Sequence, residues 1–72
     1  MLDNSEYKIA AADALTLLLL NQHALSAAIE EITKWLSDNG VEIVADNAVV
    51  AMETLDINAK AITDAIMRLR QS

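Results

Sequence analysis

The sequence predicts an all-α protein, an antiparallel hairpin of two long helices. Apolar residues recur at alternating steps of four and three in two separate runs, and the single glycine stands between the runs. Each run places one stripe along a helix, and the two stripes are predicted to pack together as the seam of the hairpin. The first run comprises Ala11, Leu15, Leu18, Gln22, Leu25, Ile29, Ile32 and Leu36, and the second comprises Ala48, Met52, Leu55, Ala59, Ile62, Ile66 and Leu69.

The first helix is expected over about residues 5–38. Asp3 and Glu6 have the spacing of a capping box, which marks the beginning of a helix. Gly40 is typical of the C′ position, where a left-handed backbone ends a helix, and Val41 then falls where the Schellman motif takes an apolar residue. These signals bracket the first stripe of the predicted seam.

A loop over about residues 39–46 is predicted to lead into a second helix over about residues 47–70, capped by Asn47 or the residue before it. If the chain folds back about the middle of this loop, Gln22 faces Ile62. The loop midpoint and the phase of the stripes then agree, which favours a hairpin within one helical domain that spans the whole chain.

Apolar residues outside the seam predict a second layer of packing. These residues would be buried if two hairpins packed as a homodimeric four-helix bundle. The alternative is a three-helix bundle with a break near Asn21, where three indifferent helix formers follow one another. The candidate oligomer or partner interface comprises Leu17, Leu20, Gln22, Ala24, Ala28, Trp35, Val50 and Ile57.

Two residues of this interface allow more than one interpretation. Gln22 is the polar member of the first stripe, and it is either a side chain that reaches the edge of the seam or a buried amide that fixes register and partner. Trp35 is either buried, within the bundle or under the loop, or exposed as an anchor for a partner protein. The sequence leaves both choices open.

The composition favours a protein without catalytic, cofactor or metal sites. The chain has no cysteine and one histidine, and no carboxylate stands three or four residues from His23. Ser26 and Ser37 have no recognisable base nearby. A non-enzymatic protein is therefore expected.

The charge and hydropathy of the chain predict a cytoplasmic location. The longest stretch free of Asp, Glu, Lys and Arg runs from Ala14 to Ile29 and is too short and too polar to span a bilayer. No basic region precedes it, so a signal peptide is not expected. The formal net charge of −6 also disfavours binding to nucleic acid or anionic lipid.

The function expected from these observations is a small protein–protein interaction or regulatory module. One alternative is a nucleic-acid-associated regulator that uses Lys60, Arg68 and Arg70 as a basic tip. Another is a carrier of a small hydrophobic ligand held near residues 17–20. No motif in the sequence selects a particular biological process.

Overall fold

The computed structural model describes residues 3–71 and shows an antiparallel hairpin of two helices. Helix α1 spans Asn4–Asp38 and helix α2 spans Glu42–Gln71, and the described residues contain no strand. The predicted all-α hairpin is confirmed. Helix α1 continues through Asn21 without interruption, so the three-helix alternative is wrong. The hairpin measures 55 × 17 × 14 Å, and its long axis corresponds to the length of α1.

Helix α1 begins with the predicted capping box. The backbone N–H of Glu6 donates to Asp3 Oδ1 over 2.8 Å, and the backbone N–H of Asp3 donates to Glu6 Oε2 over 3.0 Å. These two bonds satisfy backbone donors that the first turn of a helix otherwise leaves free. The helix therefore begins at Asn4, close to the expected position.

The predicted helix end at Gly40 is also confirmed. Gly40 has φ of 78°, the left-handed conformation that glycine adopts without a Cβ penalty. Its N–H donates to the Ser37 carbonyl over 3.1 Å, and the Val41 N–H donates to the Leu36 carbonyl over 2.8 Å. These are the two hydrogen bonds of a Schellman motif, and they end α1 within one turn.

Helix α2 begins at Glu42, so the expected loop over residues 39–46 and the expected cap at Asn47 are wrong. The Val41 carbonyl already accepts the first helical bond from the Ala45 N–H over 3.1 Å. Ala45 is among the most buried residues of the hairpin, and Glu42 places a negative charge in the first turn, where the helix dipole favours it. Packing and charge outweigh the low helix propensity of the β-branched residues that follow Glu42.

The short connection changes the register between the helices. The side-chain amide of Gln22 donates to the backbone carbonyl of Leu55, whereas the longer loop would have placed Gln22 opposite Ile62. The hairpin turns at Gly40 rather than near residue 42. Each residue of α1 consequently meets a position of α2 closer to the turn than expected.

The seam uses the predicted stripe on α2 but a rotated stripe on α1. All seven predicted residues of α2 are buried or half-buried, and Ala45 extends their spacing toward the turn. On α1, half of the predicted residues lie in the seam, and the others are exposed because their C-terminal neighbours take their places. The α1 seam comprises Ala12, Leu15, Leu19, Gln22, Ser26, Ile29, Thr33 and Leu36, and the exposed residues are Ala11, Leu18, Leu25 and Ile32.

Small side chains explain this rotation. Ala12 faces the end of α2, and the α2 seam itself contains Ala45 and Ala59, so the two helices can approach closely. Thr33 is buried at no hydrogen-bonding cost, because its hydroxyl donates to the Ile29 carbonyl over 2.6 Å. At two positions of α1 the seam therefore takes Ser26 and Thr33 and leaves the larger Leu25 and Ile32 outside.

The resulting core is thin. Ala12, Thr33, Ala45 and Ile66 are the buried residues of the described chain, and no large side chain among them is fully enclosed. The hairpin exposes 5519 Å², whereas a compact monomer of 7.8 kDa exposes about 4,400 Å². One copy thus leaves much of its apolar surface in contact with water.

Substitution of Gly40 tests the helix end. A Cβ at this position meets no atom within 4 Å, so Gly40→Ala introduces backbone strain without a steric clash. We expect the free energy of unfolding to fall by about 1–2 kcal/mol, measured by urea denaturation at a fixed protein concentration. Gly40→Asn should cost less, because Asn tolerates the left-handed region. Equal losses for Ala and Asn would contradict this explanation.

Candidate association surface

A second stripe of uncharged residues runs along the outside of α1. Its members recur at steps of three and four, like those of the seam, and every one of them is exposed. We call this set the outer stripe. It comprises Ala11, Ala14, Leu18, Asn21, Leu25, Ala28, Ile32 and Trp35.

The large members of the outer stripe are exposed to an unusual degree. The exposed fractions are 59% for Leu18, 60% for Leu25, 58% for Ile32 and 62% for Trp35. Single exposed apolar residues are common on protein surfaces, whereas larger contiguous apolar patches often mark interaction sites. The outer stripe is apolar at every position except Asn21. The spacing of the stripe is suited to packing against another helix.

One flank of the hairpin is ionic. Ser26 and Glu30 of α1 border the same shallow cavity as Glu53 and Asp56 of α2, so these side chains project on one side of the seam. Toward the open end of the hairpin, Arg70 Nη2 lies 3.7 Å from Asp13 Oδ1 on the same side. Both groups of this pair are largely exposed, so the pair contributes little stability. We call this side the charged flank.

The outer stripe lies on the opposite flank. Each helix has two sides next to the seam, and because the ionic sides of α1 and α2 share one flank, their other sides share the second. On α2 that side carries a residue at every seventh position, and none of these four is charged: Val44, Ala51, Asn58 and Ala65. We call the outer stripe together with these four residues the apolar flank.

The structure places two of the eight predicted interface residues on this flank, and two more lie beside it. Ala28 and Trp35 belong to the outer stripe, and Leu17 and Ala24 border it. The remaining residues lie elsewhere.

Leu20 follows Asp13 by two helical turns and lies on the charged flank. Val50 and Ile57 are exposed on the side of α2 that faces away from α1, and Gln22 lies in the seam. The sequence analysis missed Leu18, Leu25 and Ile32 as surface residues because it assigned them to the seam. The overlooked signal was the small or hydroxyl-bearing residue that follows two of them, Ser26 after Leu25 and Thr33 after Ile32.

Gln22 joins the two helices through a side-chain hydrogen bond near the middle of the seam. It is half-buried, and its amide donates to the Leu55 carbonyl. Among the described residues no buried side-chain nitrogen or oxygen lacks a partner. The interpretation of Gln22 as a buried amide that fixes the register therefore has a specific partner atom.

The basic residues of α2 do not form a single patch. Arg68 and Arg70 project about 160° apart at 3.6 residues per turn, and Arg70 is paired with Asp13. Residues 17–20 border neither of two cavities that lie along the hairpin. The first, of about 280 Å³, is open and lies between Ser5 and Arg70, and the second is the shallow cavity of the charged flank.

Residues 3–71 contain no group of three or more His, Cys, Asp or Glu side chains placed to hold a metal ion. Within the same residues, neither helix has a segment long and apolar enough to cross a bilayer.

Replacement of Gln22 tests its role in the seam. Gln22→Leu removes a hydrogen bond worth about 1 kcal/mol, but burial of the leucine side chain contributes more than this loss. The Leu55 carbonyl still accepts its backbone hydrogen bond within α2. We expect the free energy of unfolding to rise by up to about 1 kcal/mol, while light scattering shows a mixture of masses in place of one species. Gln22→Ala, which adds no apolar surface, should be less stable than the wild type. A single unchanged species with lower stability for Gln22→Leu would contradict this role.

Comparison with known proteins adds no assignment to this geometry. No protein-family model, no curated protein and no solved structure matches the chain.

Proposed function

We propose that this protein is a small, non-enzymatic interaction module of the cytoplasm that works as a homodimer, with the apolar flank of one copy covered by that of the other. The observation that carries the proposal is the outer stripe, which repeats the spacing of a helix-packing seam on an exposed surface. A regulatory role would follow if assembly of the dimer presents or hides a surface for another protein.

The surface area of the hairpin supports this proposal. The 5519 Å² that it exposes exceeds the value for a compact monomer of its mass by about 1,100 Å². A stable interface of standard size covers about 800 Å² on each partner. The excess is therefore large enough to supply one such interface. The apolar flank contributes five large exposed residues to it: Leu18, Leu25, Ile32, Trp35 and Val44.

The charge distribution supports the choice of flank. The ionic side chains that border the shallow cavity, Glu30, Glu53 and Asp56, would repel the same residues of a second copy. The outer stripe carries no charge, so two copies can approach along it without that penalty. With a net charge of −6, the chain favours association through its uncharged side.

A charge placed in the outer stripe should separate the copies. Leu25→Glu would put a carboxylate from each copy into an apolar interface, where its desolvation is not compensated. We expect the dimer dissociation constant to rise by about a hundredfold or more, measured by sedimentation equilibrium over a range of concentrations.

Leu20→Glu is the matched control for this experiment. Leu20 is the same residue type on the same helix, its exposed fraction is 59% against 60% for Leu25, and it projects about 140° away. This variant should remain dimeric. A wild-type protein that stays at 7.8 kDa at all concentrations, or equal weakening by both variants, would refute the proposed function.

A further inference from the structure

We infer that the second copy packs face to face and antiparallel, with α1 on the partner's α1 and α2 on the partner's α2. The two-fold axis lies at the level of His23 and perpendicular to the helices. This inference rests on the proposed association and specifies the geometry of the partner. It derives from the order of large and small residues along the apolar flank.

The outer stripe is complementary to itself when reversed. Its large residues are concentrated toward the turn, at Ile32 and Trp35, and its small residues toward the open end, at Ala11 and Ala14. A two-fold axis at the level of His23 therefore places a large residue of one copy against a small residue of the other along most of its length. The pairs are Trp35 with Ala11, Ile32 with Ala14, Leu18 with Ala28, and Leu25 with Asn21.

Such pairing keeps the distance between the helices nearly constant. Close-packed interfaces alternate large and small side chains across facing positions, because voids and clashes are both costly. Each pair in the antiparallel arrangement combines one bulky and one short side chain. The two α1 helices can consequently remain in contact from one end to the other.

The parallel alternative lacks this property. If both turns lay at the same end, α1 would pack against the partner's α2, with Trp35 near Val44 at the turn and Ala14 near Ala65 at the open end. Bulky pairs would gather at one end and pairs of small residues at the other. The helices would be held apart at the turn and would leave a gap at the open end.

Helix α2 provides an independent argument for the same axis. Its side of the apolar flank runs from Val44 to Ala65, and the midpoint lies between Thr54 and Leu55. The midpoint of the outer stripe is His23. The hydrogen bond from Gln22 to the Leu55 carbonyl joins the neighbours of these two midpoints. One axis therefore suits both helices.

Distances between spin labels test the geometry directly. The chain has no cysteine, so Ala27→Cys and Lys34→Cys each provide one labelling site. Both residues are exposed, stand two helical turns apart on the same side of α1, and lie away from the apolar flank. Pulsed dipolar spectroscopy on each singly labelled dimer then gives the distance between equivalent residues of the two copies.

The antiparallel arrangement predicts different distances for the two sites. Equivalent residues are separated along the helix axis by about 12 Å for residue 27 and about 33 Å for residue 34, at a rise of 1.5 Å per residue. The measured distance should therefore be clearly longer for Lys34→Cys. Nearly equal distances would show a parallel dimer and overturn this inference while leaving the proposed function intact. No dipolar coupling at either site would show a monomer and refute both.

A size exchange across the interface gives a second test. Leu18→Ala should weaken the dimer about tenfold or more, and Ala28→Leu should weaken it through overpacking. In the antiparallel arrangement the double variant restores a large residue opposite a small one, so its dissociation constant should return to within a few-fold of the wild-type value. If the double variant loses as much dimerisation free energy as the two single variants together, the pairing is wrong.

Discussion

Close approach of two helices through small side chains is the constraint on which the rest of this structure depends. Ala12, Ala45 and Ala59 occupy the seam, and Thr33 joins them because its hydroxyl is bonded within its own helix. A seam built in this way holds the helices together but encloses little apolar volume. Leu18, Leu25 and Ile32 of α1 consequently lie on its exposed side, where they belong to the outer stripe.

The short turn has a comparable influence on the register. Gly40 ends α1 in a left-handed conformation, and α2 begins two residues later. Because a connection of this length permits little sliding, the position of the turn largely decides which residues meet. The bond from Gln22 to the Leu55 carbonyl then holds the register at mid-length. The turn and this amide both oppose sliding of one helix along the other, at two different places along the hairpin.

Local signals in the sequence were sufficient for the fold class and for both ends of α1. The hydrogen bonds of Asp3, Glu6 and Gly40 are made with residues close by in the sequence. Their effect can therefore be predicted without knowing the position of the other helix. The start of α2 was not readable in this way. It depends on the burial of Ala45 against α1, which is a tertiary contact that outweighs weak propensities.

The candidate surface was only partly predictable for a related reason. Leu15, Gln22, Ile29 and Leu36 belong to two overlapping heptad patterns, one continued by Leu25 and the other by Ser26. Hydrophobicity alone favours the first pattern, whereas the close contact of the helices selects the second. Periodicity thus identified a packing surface on α1 but could not say which partner each stripe faces.

The thin core also has a consequence for how the stability of the protein depends on its concentration in the cell. Because only four of the described residues are buried, the proposed association would supply further apolar burial, and stability would then depend on protein concentration by mass action. A dilute chain would spend more time open to proteases than a concentrated one. Cellular turnover would therefore fall steeply as synthesis rises, giving the protein a threshold level below which it does not accumulate.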